Sequence, residues 1–177
     1  MIIKSIKQKI KKYFFVNPTE KLRVRHIERI VKVPLPSVIR YVKELKKEGV
    51  LKESEISGVK FYSADRSSKE FLVEKSLFNL KSIFDSKLIN YLIEEYNNPL
   101  IILFGSYSKG EDIEKSDIDL YIETTNNKKL RLNKFENTLN RKIHIFSFKS
   151  IDKVPNKDLS NNIINGIVLN GFLEVFK

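Results

Sequence analysis

Apolar residues recur at helical spacing three times within the first fifty positions. Ile3, Ile6, Ile10 and Phe14, with Lys4, Lys7, Lys11 and Lys12 mostly opposite, predict a helix over residues 2–15. Asn17-Pro18 ends it, because proline fixes φ and restricts the residue before it. A second short helix is expected over residues 22–31, with Ile27, Ile30 and Val31 turned inward. Val33-Pro34-Leu35-Pro36 reads as a stiff connection. Ser37 then stands as the N-cap of a third helix, whose buried stripe is Val38, Val42 and Leu45 and which stops at Gly49. A hairpin follows: a strand over 50–56, a Ser57-Gly58 turn, and a strand over 59–63. His26 falls on a solvated helix face, and Tyr41 is expected to pack.

Beyond the polar break at Asp65–Ser68 the helical period returns, with Phe71, Leu72, Leu77, Leu80, Ile83 and Phe84 forming one apolar face. Leu88, Ile89, Leu92 and Ile93 continue it after Asp85-Ser86, as far as Tyr96. So much apolar surface must cover either the sheet of a second domain or another copy of the chain. Asn97-Asn98-Pro99 closes the helical stretch. The continuous run Leu100–Phe104 predicts a strand covered on both faces. Gly105-Ser106, a polar loop over 107–116 and a strand over 117–123 come next. A further strand is expected over 142–148, with Ile143 and Ile145 inward. In the tail, residues 160–176, Ile163, Ile164, Ile167, Val168 and Leu169 fall in a helical arrangement, and Gly166 permits close approach of another element. The pattern predicts an α+β chain of two domains: 1–65, a helical connection over 66–97, and 98–177.

Composition adds exclusions. No apolar run approaches the ~20 residues that cross a bilayer, and the basic, amphipathic N-terminus lacks the features of a signal peptide. Cysteine is absent, which excludes disulfides and thiolate metal sites and fits a cytoplasmic protein. Charge is unevenly distributed: residues 1–65 hold 16 Lys+Arg against 7 Asp+Glu, whereas residues 66–177 hold 17 against 15. A basic block beside a balanced one points to two modules with different partners, the basic one suited to a phosphate backbone.

The chemistry concentrates in the second module. On a strand Asp117 and Asp119 point the same way while Ile118 and Leu120 enter the core. Two adjacent carboxylates repel, and make sense where a divalent cation sits between them. Gly105 lets a backbone approach a phosphate closely, Ser106 offers a hydroxyl, and neighbouring amides can form an anion-binding nest. Such parts suit a metal-bound nucleoside triphosphate.

Two resemblances follow from these residues. The segment "PSVIRYVKELKKEGVLKESEISGVKFYSAD" resembles the recognition helix and wing of a winged helix-turn-helix domain. That resemblance implies double-stranded DNA as partner, with Ser37, Arg40, Lys43 and Lys47 on the recognition helix, Lys52 and Lys60 on the wing, and Arg40 placed for a base edge. The segment "LFGSYSKGEDIEKSDIDLYIE" closely resembles the minimal prokaryotic members of the polymerase-beta-like nucleotidyltransferases. This second resemblance implies Gly105, Ser106 and Lys109 as nucleotide-binding residues and Asp117 and Asp119 as metal ligands. It also implies Mg²⁺ or Mn²⁺ as cofactor and an NTP, expected to be ATP, as substrate. Active members usually supply a third carboxylate from a later strand, where this chain has His144. Imidazole is a poor ligand for Mg²⁺ but suits softer metals and can act as a base. Two functions therefore stay open: an enzyme transferring a nucleoside monophosphate to a hydroxyl acceptor, or a DNA-binding regulator or antitoxin-like protein with an inactive domain. A homodimer and a small helical toxin are the protein partners these families imply.

Overall fold

The computed structural model describes residues 6–126 and 128–175. Ile3 and Lys4 of the first predicted helix, and Phe176 of the tail, lie outside them. The chain divides into two compact units, Met1–Lys75 and Ser76–Lys177.

The first unit begins with helices α1 (Ile6–Val16), α2 (Val24–Val31) and α3 (Leu35–Lys47). They pack around Ile10, Phe14, Ile27, Val38, Val42 and Leu45, all fully buried. An antiparallel hairpin of β1 (Leu51–Ile56) and β2 (Val59–Ala64) follows. Its two-residue turn has Ser57 and Gly58 both at positive φ, which suits the right-handed twist of the paired strands. Three expectations change here. Ser37 does not cap α3, which starts at Leu35 with Pro34 as its N-cap. Proline is welcome in a first turn, where its missing N–H would have no intrahelical partner. Ile30 is 44% exposed rather than inward. Leu22 stands before α2 and forms an isolated bridge with Tyr62, extending the hairpin's hydrogen bonding.

Helix α4 (Lys69–Asp85) runs across the division between the units. The predicted apolar face of this stretch splits: Phe71 and Ile83 are buried, whereas Leu77 and Phe84 are exposed. The second unit continues with α5 (Leu88–Tyr96), β3 (Ile101–Phe104), α6 (Gly105–Lys109) and β4 (Ile118–Glu123). Then come α7 (Asn133–Leu139), β5 (Ile143–Phe148), a 3-10 turn at Ile151–Lys153, α8 (Lys157–Ile164) and β6 (Ile167–Asn170). The four strands form one mixed sheet in the order β5-β4-β3-β6, in which only the β4–β5 pair is parallel. One face buries Leu103, Ile118, Leu120 and Ile122 against Leu88 and Leu92, and the other buries Ile102, Phe104 and Tyr121 with Ile151 and Ile163. Covering on both faces explains the uninterrupted apolar run of β3.

Two more readings are corrected. The "polar loop" after Phe104 opens with α6, and Ile167–Leu169 form a strand, not the continuation of a helix. Three apolar residues in a row satisfy either period, so their pairing with β3 decides. Gly166 does allow a close approach: a Cβ there would lie 2.6 Å from both Ile102 Cγ2 and the Leu103 carbonyl oxygen. Gly166→Ala is therefore expected to lower stability by about 1–3 kcal/mol, measured as a drop in the thermal midpoint. Among the described residues, no helix is long and apolar enough to cross a membrane.

Candidate functional site

The most chemically loaded place in the second unit lies where β3, β4 and β5 meet α6. Phe104 pairs with Asp119 across the antiparallel ladder, and Asp119 pairs with His144 across the parallel one. Strand register thus sets the start of α6, the carboxylate and the imidazole side by side. Asp117 precedes the first residue of β4 and keeps the face of Asp119. His144 stands between the two: Nε2 lies 3.7 Å from Asp117 Oδ2 and Nδ1 lies 3.6 Å from Asp119 Oδ1. Burial pushes the Asp119 carboxyl above its usual range, His144 partly offsets this, and Asp117 adds to it. An ionised Asp119 is therefore costly in the folded chain, and a cation placed at the pair would relieve that cost.

Gly105 stands close to the carboxylate pair. Its φ is +73°, and a Cβ would sit 2.7 Å from Asp119 Oδ2. A side chain at position 105 would therefore collide with the Asp119 carboxylate. Ser106 is half-buried in the first turn of α6, and Lys109 is exposed at its end. Beside Asp117 opens a cavity of about 370 Å³ lined by Ser116, Asp117, Asn137, Asn140 and Lys142, among others.

Beneath α6 is a buried polar network that sequence reasoning missed. Asn79 Nδ2 donates to the Tyr107 carbonyl oxygen at 2.9 Å and to Asp112 Oδ1 at 2.7 Å. Ser76 Oγ donates to the Ser108 carbonyl oxygen at 2.5 Å. Arg141 Nη2 lies 3.8 Å from Asp112 Oδ2, with side-chain exposures of 6% and 1%. The network fixes α6 and the loop leading to Asp117 against the residue that starts the turn into β5. Nothing in the local sequence marks Asp112 as buried, since it stands among charged residues.

Among the described residues, no three His, Asp or Glu side chains form a group that would hold a metal ion by themselves. Asp117 and Asp119 nonetheless fit Mg²⁺, which is commonly held by one or two carboxylates together with substrate phosphate oxygens and water.

In the first unit, Ser37 is half-buried, while Arg40, Lys43, Lys47, Lys52 and Lys60 are exposed. Arg40 stacks over Tyr41, its Cζ 4.3 Å from the ring centroid, donates to the Tyr41 hydroxyl, and lies 3.7 Å from Glu44. Lys60 lies 3.2 Å from Glu53, which also meets Lys46 at 3.5 Å and accepts from Tyr62. The Tyr62 hydrogen bond, with Lys60, holds the Glu53 carboxyl below its usual range, while burial first and then Glu53 push Tyr62 up to about 12. Sequence reasoning also passed over α2 and its entry: Arg25, Arg29 and Lys32 are exposed there, and Arg23 lies over Phe61. The signal was present as five cations between Lys21 and Lys32 against Glu28 alone.

Comparison with curated proteins finds no match, and comparison with solved structures finds none either. Residues 86–171 match the family model described as Polymerase beta, Nucleotidyltransferase, which supports a nucleotidyltransferase domain over that stretch.

Proposed function

We propose that the chain transfers a nucleoside monophosphate from an NTP to a hydroxyl acceptor and binds DNA through its first unit. The observation that carries the transferase reading is the cluster of Asp117, Asp119 and His144 beside Gly105 and Ser106, set by strand register. Nucleotidyltransferases generally use a divalent metal and an NTP. Asp117 and Asp119 would hold the cation, whose positive charge would offset that of the phosphates when bound. Ser106 and Lys109 bind phosphate oxygens. The acceptor hydroxyl enters from the cavity beside Asp117, its oxygen bonds to the α-phosphorus, and pyrophosphate leaves with the electrons of the broken P–O bond. His144, exposed and adjoining both carboxylates, takes the hydroxyl proton.

The test is incubation with each α-labelled NTP, in Mg²⁺ and then Mn²⁺, reading bound nucleotide and transferred label. Label transferred to protein or to added acceptors supports the enzyme; a chain that binds no nucleotide and transfers none overturns it. A second reading starts from the pairing of His144 with Asp119 across β4 and β5: the resemblance to nucleotidyltransferases implies a third acid on such a strand, and an imidazole in its stead favours a regulator or antitoxin-like protein that binds nucleotide without turnover. Binding with no transfer in either metal would select that reading.

For the first unit, Lys43, Lys47 and Lys52 are exposed without an ion-pair partner among the described residues. Duplex DNA affinity should fall steeply with salt, and each of these lysines replaced by alanine should reduce the log–log salt slope by about 0.9. Absence of binding at low salt would remove DNA as the partner.

A further inference from the structure

Helix α4 places two polar side chains where an inward helix face is ordinarily apolar. Asn79 is 2% exposed and Ser76 is half-buried. Three residues apart, they share one face of the helix. Each reaches a carbonyl of α6: Asn79 Nδ2 donates to the Tyr107 oxygen at 2.9 Å, and Ser76 Oγ donates to the Ser108 oxygen at 2.5 Å. Both carbonyls lie in the last turn of a helix that ends at Lys109, where an intrahelical partner is missing. The second hydrogen of the Asn79 amide goes to Asp112 Oδ1 at 2.7 Å. Asparagine supplies both donors, whereas leucine or an ionised aspartate of similar size supplies neither. Burial of a polar group costs free energy unless it is hydrogen-bonded, so an apolar residue would serve the packing of α4 alone as well or better. The residue types at 76 and 79 answer to α6.

Ser106 and Lys109 both stand on α6, which has five residues. A helix that short does not hold its own shape, because its few hydrogen bonds do not offset the cost of nucleation. Its orientation is imposed from outside. We propose, on the reading that Ser106 and Lys109 bind phosphate oxygens, that Ser76 and Asn79 are positioning residues for the nucleotide. They do not touch it. They hold α6 by its last turn, which keeps Ser106 and Lys109 at fixed places relative to Asp119, itself set by strand pairing. The nucleotide then binds without the cost of ordering α6. Loss of either hydrogen bond leaves an α6 that samples other orientations, and the apparent affinity falls with the fraction still competent to bind.

The test is the dissociation constant of the full chain for each NTP in Mg²⁺, beside the thermal midpoint of the ligand-free protein. Ser76→Ala should raise that constant about threefold and Asn79→Ala about tenfold, the range that the loss of one or two hydrogen bonds gives. Ser76→Ala should keep the parental midpoint to within about 2 °C, since alanine is the better helix former. Ser76→Thr retains the hydroxyl and should bind NTP as the parent does. In a Ser106→Ala/Lys109→Ala background, Ser76→Ala should add no further loss, because it acts through those two side chains. Parental NTP affinity in Ser76→Ala, a loss that Ser76→Thr shares, or an undiminished loss in the double background would each overturn the proposal, and none of these depends on Asn79→Ala folding. NTP affinity that falls as stated supports it whether or not the chain transfers label. A parent chain that binds no NTP overturns the phosphate-binding reading of Ser106 and Lys109 together with this one.

Discussion

Asp119→Asn is expected to reduce nucleotidyl transfer by about 10²–10³-fold or more while leaving the fold at least as stable as before. The two effects separate because of where the carboxylate stands. Burial raises its pKa, so at neutral pH the ionised group costs folding free energy. An amide of the same shape removes that charge, still fits the space over Gly105, and should keep or raise the thermal midpoint. What it cannot do is offer an anionic oxygen to a divalent cation. Loss of one preorganised charge contact at a reacting phosphate is worth several kcal/mol, which is the expected loss in rate. The measurement is transfer of α-label beside thermal unfolding of the same preparation. A variant that transfers label at the parental rate would mean that Asp119 is not a ligand. One that loses activity only by unfolding would mean that its role is structural.

The parts of this site that could be read from sequence are those whose geometry is local. Asp117 and Asp119 share a face because a strand alternates, and the apolar Leu100–Phe104 run pointed to a strand buried on both sides; both follow from period alone. Gly105 was legible as a special residue, but its closeness to Asp119 was not. The contact with Asp119 Oδ2 depends on pairing between β3 and β4, which no local pattern specifies. The same limit explains Ile167–Leu169, whose apolar run suits helix or strand until β3 stands beside it. Helix α4 misled because its face was judged by hydrophobicity. Lys75 and Asn79 are buried while Leu77 and Phe84 are not, an exchange that only tertiary contacts reveal. Three amphipathic helices and a hairpin were legible in the first unit from period and turn residues, since Ser57-Gly58 supplies both positive φ values the turn demands.

Arg141→Met is expected to destabilise the second unit by about 3–5 kcal/mol, the usual consequence of leaving one partner of a buried ion pair behind. Asp112 has 1% of its side chain exposed and accepts from Asn79, so without the guanidinium its charge stays in a poorly solvated place. The thermal midpoint should fall by roughly 10 °C or more, since each kcal/mol is worth a few degrees in a chain of this size. The cost is expected mainly from the charge that the guanidinium leaves behind in the interior, and less from the strength of any one bond. The double variant Asp112→Asn/Arg141→Met tests that distinction. Asparagine keeps an oxygen for Asn79 and carries no charge, so the pair of changes should cost clearly less than Arg141→Met alone. If the double variant is instead as unstable as the two single losses added together, the guanidinium stabilises through its packing. In that case the Asp112–Arg141 attraction is not what fixes α6 and the approach to Asp117.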